Sequence, residues 1–223
     1  MNQTPKDILK NIVVFFLGLT ALSFGTYLTI QAGIGVSSWD CLALGTAGKL
    51  GLKYGNANLI ISVTVILLDI LLKEKIGLGT VLNGIFCGKI VDVFNALDLV
   101  PVISGNILLS ILLVAAGMVV EAFGVIYYMK PSLGCGPRDT FKVGIGRYVR
   151  KIKIGTVGIG INMIVLLCGW LLGGPVGIGT VMNIFFYGVI ENMVNGLMKF
   201  EPRDLVHQDI VQTFRVLFKT KQA

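Results

Sequence analysis

The sequence predicts an all-α integral membrane protein with six transmembrane helices arranged as a 3+3 inverted repeat. Three observations lead to this prediction: the composition is strongly apolar, one segment recurs in a second copy, and the basic residues collect on one side. Of the 223 residues, 54% are hydrophobic and 14% are charged, whereas soluble domains carry about 25% charged residues. The chain therefore lacks the polar surface of a soluble domain and is expected to lie in a lipid bilayer.

Six mostly apolar segments are expected to cross the membrane. An α-helix rises about 1.5 Å per residue, so about 20 residues cross a hydrocarbon layer of about 30 Å. The second segment is marginal in length and is expected to extend into its flanking residues. The segments are Ile12–Ala32, Ala57–Leu72, Leu78–Leu97, Ile107–Met129, Ile154–Leu172 and Ile178–Met198.

The internal repeat is the most informative feature of the chain. The segment GLGTVLN at Gly77–Asn83 returns as GIGTVMN at Gly177–Asn183, with five of seven positions identical. Other identities keep this offset of 100 or one of 99, which predicts two copies, 11–98 and 105–198. Repeats in an apolar chain are typical of transporters, whose substrate sites lie between the copies. Residues 1–200 are therefore predicted to form one membrane domain of two halves.

The distribution of Lys and Arg predicts the orientation. Most of the 19 basic residues precede the first span, lie between the second and third or the fourth and fifth spans, or follow the sixth. Such residues mark the cytoplasmic side, so a plasma-membrane protein with both termini in the cytoplasm is expected. Since each copy has three spans, the second copy should be inverted about a pseudo-two-fold axis in the membrane plane. A parallel repeat of four short spans per copy is the alternative.

Each copy also holds one segment that is too short to cross the membrane. These segments are Ser37–Leu50 and Gly136–Val149, and fourteen helical residues reach about 21 Å. They are expected to be re-entrant helices that enter from opposite sides, or interfacial helices on the membrane surface.

The starts of the two short helices supply three candidate site residues. Asp40 and Asp139 fall in the first helical turn, where the helix dipole favours a carboxylate, and they either cap the helix or face a wet cavity. Arg138 stands where the first copy has Trp39. It can contact an anion together with the helix N-termini, pair with Asp139, or lie among the lipid headgroups.

The repeated glycine segments supply two more candidates. Asn83 and Asn183 lie about one turn into the third and sixth spans, where a buried amide needs a hydrogen-bond partner. They either pack helices together at the symmetry axis or line a central substrate site from opposite sides. Thr80 and Thr180, three residues before them, can cap the helices or bond across a helix interface.

Glu121 is the acid placed deepest in a predicted span, and its counterpart in the first copy is Leu22. Ionisable residues inside spans are costly and are therefore functional candidates. Glu121 is the candidate proton-coupling residue, unless it pairs with Lys89. Three other acids lie nearer to span ends and are expected to reach interfacial water: Asp69, Asp92 and Glu191.

Residues 201–223 are predicted to form a cytoplasmic amphipathic tail. Apolar residues recur at spacings of three and four over 204–219, which is typical of a helix that lies on the membrane surface.

Several of these motifs resemble the YczE-like bacterial membrane proteins of the wider YczE/YitT grouping. They are Trp39-Asp40, the GPRD segment Gly136–Asp139, and the paired GxGTVxN segments at 77–83 and 177–183. The resemblance covers about residues 10–200. It implies a multi-spanning protein of the bacterial plasma membrane but does not indicate a substrate.

Two functions remain open at this stage. The first is a small secondary transporter or exporter of a small, anionic or zwitterionic solute, and the second is a membrane accessory or regulatory protein without transport activity. A deep polar cavity between the repeats would favour transport, and a filled core would favour the accessory role. The sequence has no HExxH or GxSxG motif, so no enzyme is expected.

The expected partners are the lipid bilayer and a small-molecule solute, with a second copy of the chain, in a homodimer, as a further candidate. The net charge of +7 is accounted for by cytoplasmic loops, so no nucleic-acid partner is expected. The four cysteines form no CxxC pair, so neither a metal site nor a cofactor is expected.

Overall fold

The computed structural model describes residues 5–103, 105–149, 151 and 154–200, and this part of the chain is helical, without strands. The predicted tail helix over 204–219 lies outside the described residues. Eight helices follow one another: α1 (Pro5–Gln31), α2 (Ser38–Leu50), α3 (Tyr54–Leu71), α4 (Leu78–Leu97), α5 (Ile107–Met129), α6 (Pro137–Tyr148), α7 (Ile154–Leu171) and α8 (Ile178–Leu197).

The helix bounds follow the apolar segments of the sequence closely. The helix α3 begins at Tyr54 instead of Ala57 and thereby reaches 18 residues. The short helices α2 and α6 have 13 and 12 residues. The Ser37 side chain caps α2 by accepting a hydrogen bond from the Asp40 N–H at 3.3 Å, and Pro137 begins α6, where its missing N–H costs nothing.

The helices have the length and surface of a membrane protein. Four are long and apolar enough to cross a bilayer: Leu9–Gln31, Tyr54–Leu71, Leu78–Leu97 and Ile107–Met129. The helices α7 and α8 also expose large apolar side chains, among them Met163, Trp170, Phe185 and Met193. Apolar surface of this extent suits contact with lipid and not with water. The chain is therefore an all-α membrane protein.

The centre of the molecule is the pair α1 and α5, whose backbones meet at glycines. A methyl group on Gly18 would lie 2.2 Å from the backbone nitrogen of Tyr128, and one on Gly124 would lie 2.3 Å from that of Leu22. Contacts this short exclude any larger side chain, so these glycines allow the close approach of the two helices.

The two halves contact each other in a reciprocal way. The Gly79 N–H donates to the Leu133 carbonyl at 2.8 Å, and the Gly179 N–H donates to the Ile34 carbonyl at 2.8 Å. The helix α2 packs on α7, and α6 packs on α3. Each half therefore binds the short helix of the other half and the loop before it.

Candidate functional site

A cavity of about 580 Å³ lies between the two halves, and every one of the eight helices contributes to its wall. The structure brings the six residues singled out in the sequence together on this wall: Asp40, Asn83, Glu121, Arg138, Asp139 and Asn183. Their roles in substrate binding and proton coupling stay predictions.

Arg138 connects the two halves across the cavity. Its Nη2 donates to the Asn58 Oδ1 at 2.6 Å, and its Nη1 lies 3.8 Å from the Asp40 Oδ1. The guanidinium carbon lies 5.2 Å from the centre of the Trp39 ring, within the range of a cation–π contact. Arg138 therefore pairs with the acid of the other half and not with its sequence neighbour Asp139.

Asp40 is buried and its oxygens accept several hydrogen bonds. The Tyr54 hydroxyl donates to Oδ1 at 2.8 Å, and the Ser37 hydroxyl donates to Oδ2 at 2.5 Å. Together with Arg138, these donors stabilise a carboxylate that is only 4% exposed. Ser37 and not Asp40 caps α2, and the Asp40 carboxylate instead binds side chains from α3 and α6.

Asp139, the counterpart of Asp40 in the second half, has a different set of partners. The Lys142 Nζ lies 3.3 Å from Oδ1, and the Tyr128 hydroxyl donates to Oδ2 at 3.3 Å. The negative charge of Asp139 raises the pKa of Lys142, which lies on the short helix α6. Lys142 therefore stays positively charged and is already paired with an acid.

Glu121 is 7% exposed and has no basic partner among the described residues. Its side chain passes over Gly25, where a methyl group would lie 2.5 Å from the Glu121 Cγ. Lys89 donates to Asn56 instead. The pairing of Glu121 with Lys89, one of the two expectations for this residue, is therefore wrong.

One face of α8 contributes a row of polar groups to the cavity. Asn183, Tyr187 and Glu191 are four residues apart and line it together, as the helical repeat requires. The Asn183 Nδ2 is buried and has no hydrogen-bond partner within the described ranges. Asn83, on α4, also lines the cavity.

The expectation that three acids near span ends reach interfacial water is wrong for Asp69. Asp69 is fully buried, and neither of its carboxylate oxygens has a hydrogen-bond partner in the described part of the chain. Asp69 lies on α3, against which α4 and α6 pack, and the sequence of α3 alone does not reveal this packing. Asp92 accepts a hydrogen bond from the Gly55 N–H at 2.9 Å, and Glu191 lies on the cavity wall.

Several residues of the cavity were not singled out in the sequence. Asn58 accepts a hydrogen bond from Arg138, and Asn162 accepts one from the Trp39 indole N–H. Both are polar amides inside apolar spans, and this pattern could have indicated them as site residues. Tyr54 and Tyr187 carried no such signal, because tyrosines are also common in helices that only pack.

The helices α3 and α4 close one side of the cavity. A methyl group on Gly55 would lie 2.5 Å from the carbonyl oxygen of Gly88, so the two backbones touch. The Gly55–Asp92 hydrogen bond and the Lys89–Asn56 hydrogen bond join the same helices. We call this contact the α3–α4 seam.

Tyr54 stands at the end of this seam. It lines the cavity and also a second pocket of about 360 Å³ formed with Lys53, Asp92, Asn95 and Ala96. Tyr54 therefore borders both spaces, and its hydroxyl is hydrogen-bonded to Asp40.

The helices α7 and α8 leave the corresponding side of the cavity open. Gly155 and Gly188 are the repeat counterparts of Gly55 and Gly88. Both line the cavity, yet a methyl group on either would meet no atom of the described residues within 4 Å. We call this gap the α7–α8 seam.

The fold and the site define an α-helical membrane protein with a polar cavity lined by all eight helices. The chain belongs to the family of unknown function DUF6198, whose model matches residues 9–196.

The similar proteins come from bacteria. The uncharacterized membrane protein YczE of Bacillus subtilis is 30% identical over 187 residues, which cover 83% of this chain and 85% of that protein. An uncharacterized protein of Haemophilus influenzae is 32% identical over 173 residues, 78% of each chain. The uncharacterized protein YyaS of Bacillus subtilis is 27% identical over 176 residues, 78% of this chain and 87% of that one. No solved structure matches the chain. The resemblance to YczE-like membrane proteins is thus confirmed.

Proposed function

We propose that the protein is a small secondary transporter or exporter of a small, anionic or zwitterionic solute in the cell membrane. The observation that carries this proposal is the cavity of about 580 Å³, which has charged residues of both halves on its wall. An accessory protein has no need of such a space, and burying charged groups around it is costly unless they contact water or a ligand.

The proposed topology has six spans, with α7 and α8 completing the four longer apolar helices, and with α2 and α6 re-entrant from opposite sides. The reciprocal hydrogen bonds of Gly79 and Gly179 support a two-fold relation between the halves. Three spans per half place the axis of that relation in the membrane plane, and both termini then lie in the cytoplasm.

The two seams supply the conformational change that transport requires. In the proposed topology the α7–α8 seam faces the cytoplasm, so the structure corresponds to a state open to the inside. Closure of Gly155 against Gly188, together with separation of Gly55 from Gly88, would expose the same cavity to the outside. Solute binding then shifts the balance between the two states only if the solute binds one of them better.

Metabolite profiling tests transport directly. Cells that lack the protein are compared with cells that produce the wild type, Arg138→Gln or Lys49→Gln. Lys49→Gln removes one positive charge from the exposed end of α2, away from the cavity. We expect at least one small charged solute to change several-fold between cells and medium with the wild type and Lys49→Gln, and not with Arg138→Gln. Profiles that are the same with and without the protein would favour the accessory function.

Glu121 is the proposed proton-linked group of this transport. The titratable groups that share its cavity are Asp40 on α2, Tyr54 on α3, Cys87 on α4, Tyr128 on α5, Arg138, Asp139 and Lys142 on α6, and Tyr187 and Glu191 on α8, while α1 contributes Thr26. Glu121→Gln should remove the pH dependence of transport and spare insertion and expression. Wild-type pH dependence in Glu121→Gln would contradict this assignment.

A further inference from the structure

The charges on the cavity wall do not balance. Four carboxylates and two basic side chains line the cavity: Asp40, Glu121, Asp139 and Glu191, against Arg138 and Lys142. Each basic group already faces an acid, with Arg138 at 3.8 Å from Asp40 and Lys142 at 3.3 Å from Asp139. Glu121 and Glu191 form no ion pair among the described residues, although Lys142 interacts electrostatically with Glu191 as well as with Asp139.

These two acids lie on neighbouring parts of the wall. Glu121 is on α5 and Glu191 is on α8, and these helices pack together. Tyr187 lies one turn before Glu191 on the same face and lines the cavity together with both carboxylates. The Asn183 Nδ2, a further turn back, is a buried donor without a partner in the described chain. We call these four residues the α5–α8 wall.

A cationic nitrogen fits the α5–α8 wall better than an anion does. A carboxylate that is 7% exposed loses most of its hydration, and a positive charge from a ligand offsets this loss. The Tyr187 ring can contact the same cation through its face, and the Asn183 amide can donate to an oxygen atom of the ligand. An anion would bind Arg138 and Lys142 only weakly, because it would have to compete with Asp40 and Asp139 for these two basic groups.

We propose that the α5–α8 wall binds the ammonium group of the solute, so that the solute is an amine or a zwitterion and not a simple anion. The inference rests on the proposed function only in so far as the solute occupies this cavity. A zwitterion would place its ammonium group at Glu121 and its anionic group toward Arg138 and the N-termini of α2 and α6.

Binding to the purified protein in lipid nanodiscs tests this inference without transport. The chain has two tryptophans, of which Trp39 lies on the cavity wall and Trp170 is 59% exposed. In a Trp170→Phe background Trp39 is the only reporter. The probes are ethylammonium, tetramethylammonium, glycine and glycine betaine, with acetate and phosphate as anions that lack a cationic nitrogen. We expect a saturable change of Trp39 emission with at least one ammonium compound and none with the two anions.

Variants then assign the binding to the wall. Glu121→Gln should weaken binding of the ammonium compound at least about tenfold, equal to about 1.4 kcal/mol, and Glu191→Gln should weaken it less, since Glu191 is less buried. Asp98→Asn is the matched control, because it removes an exposed carboxylate outside the cavity. Thermal unfolding of each variant confirms that it is folded. Since the comparison of ammonium compounds with anions needs no carboxylate variant, it decides the matter even if Glu121→Gln does not fold.

Three results would overturn the inference: no ammonium compound binds, acetate or phosphate binds as tightly, or both glutamine variants keep wild-type affinity. The proposed function can fail separately. Ammonium binding in a protein whose presence leaves metabolite profiles unchanged would overturn transport and keep the binding site. An Arg138-dependent change in a simple anion, without ammonium binding, would do the reverse.

Discussion

The α3–α4 seam and the α7–α8 seam contain the same pair of glycines, but only the first of them is closed. A methyl group on Gly55 would lie 2.5 Å from the Gly88 carbonyl oxygen, whereas one on Gly155 would meet nothing within 4 Å in the described chain. The residues beside the glycines also differ. Asp92 accepts a hydrogen bond from the Gly55 N–H. The counterpart of Asp92 at an offset of 100 is the neutral Asn192.

The comparison separates what permits a helix contact from what stabilises it. Glycines permit close approach because they have no side chain, but a glycine pair is present in both seams and only one of them is closed. The closed seam has in addition the carboxylate of Asp92 and the Lys89–Asn56 hydrogen bond. Lys89 corresponds to Val189, which can make no such bond. The α7–α8 seam lacks these stabilising contacts. In our proposal, a bound solute supplies the interactions that close it.

The strongest test of the comparison is the sidedness of the two seams. In cells with Lys151→Cys, a membrane-impermeant thiol reagent should label the new cysteine only after permeabilisation, because the proposed topology places the basic loop before α7 in the cytoplasm. Val176→Cys, in the exposed loop between α7 and α8, should be labelled without permeabilisation. Labelling of Lys151→Cys in intact cells would reject the inverted arrangement and with it the equivalence of the seams.

The next test adds one methyl group to the closed seam. Gly55→Ala should destabilise the protein by about 1–3 kcal/mol, because the added carbon would overlap a backbone oxygen. The midpoint of thermal unfolding should fall by roughly 2–4 °C for each kcal/mol. Gly160→Ala provides the control, since that glycine meets no described atom within 4 Å and has the exposed Ile60 as its counterpart. Equal melting of Gly55→Ala and the wild type would mean that the seam is not closed.

The same change in the open seam should act on turnover and not on stability. Gly155→Ala adds a methyl group in open space, so the melting temperature should stay at or above that of the wild type, as expected for Gly→Ala in a helix. The methyl group would, however, obstruct the approach to Gly188. We expect the solute change seen by metabolite profiling to be reduced several-fold in Gly155→Ala and unchanged in Gly160→Ala. Full transport by Gly155→Ala would show that the seam never closes.

The smallest effect is expected at the hydrogen bond that caps α3. Lys53, the residue before this helix, makes no capping hydrogen bond with its side chain, so the Asp92 carboxylate supplies an acceptor for the Gly55 N–H. Asp92→Asn replaces a charge-assisted bond by a neutral one, which is about half as strong. Amide hydrogen exchange over the first turn of α3 should become faster in Asp92→Asn and stay unchanged in Asp98→Asn. Faster exchange in both variants would point to a general loss of stability.

Much of the fold could be predicted because it depends on local patterns. Apolar runs and their ends gave the helices, and the polar start at Ser37 and the proline at Pro137 gave the two short ones. The six candidate site residues could be selected because each is a polar group in an apolar chain, where burial is costly. Their presence on one cavity wall agrees with that reasoning.

The parts that could not be predicted depend on the packing of distant segments. The pairing of Arg138 with Asp40 joins the two halves and has no sequence spacing to indicate it. The burial of Asp69 depends on the packing of other helices against α3, which the sequence of α3 does not show. The open and closed seams share their glycines, so the repeat itself predicts that they are equal. Only the neighbours of those glycines distinguish them.

The crossed hydrogen bonds between the halves also bear on biosynthesis. The Gly79 N–H finds its acceptor in Leu133, and α2 finds its packing partner in α7. The ribosome completes α1 to α4 before Leu133 and α7 have been synthesised. Until then, the Gly79 N–H has no hydrogen-bond acceptor and α2 has no helix to pack on. The docking of α2 on α7 is therefore among the last steps of assembly, after nearly the whole chain has left the ribosome.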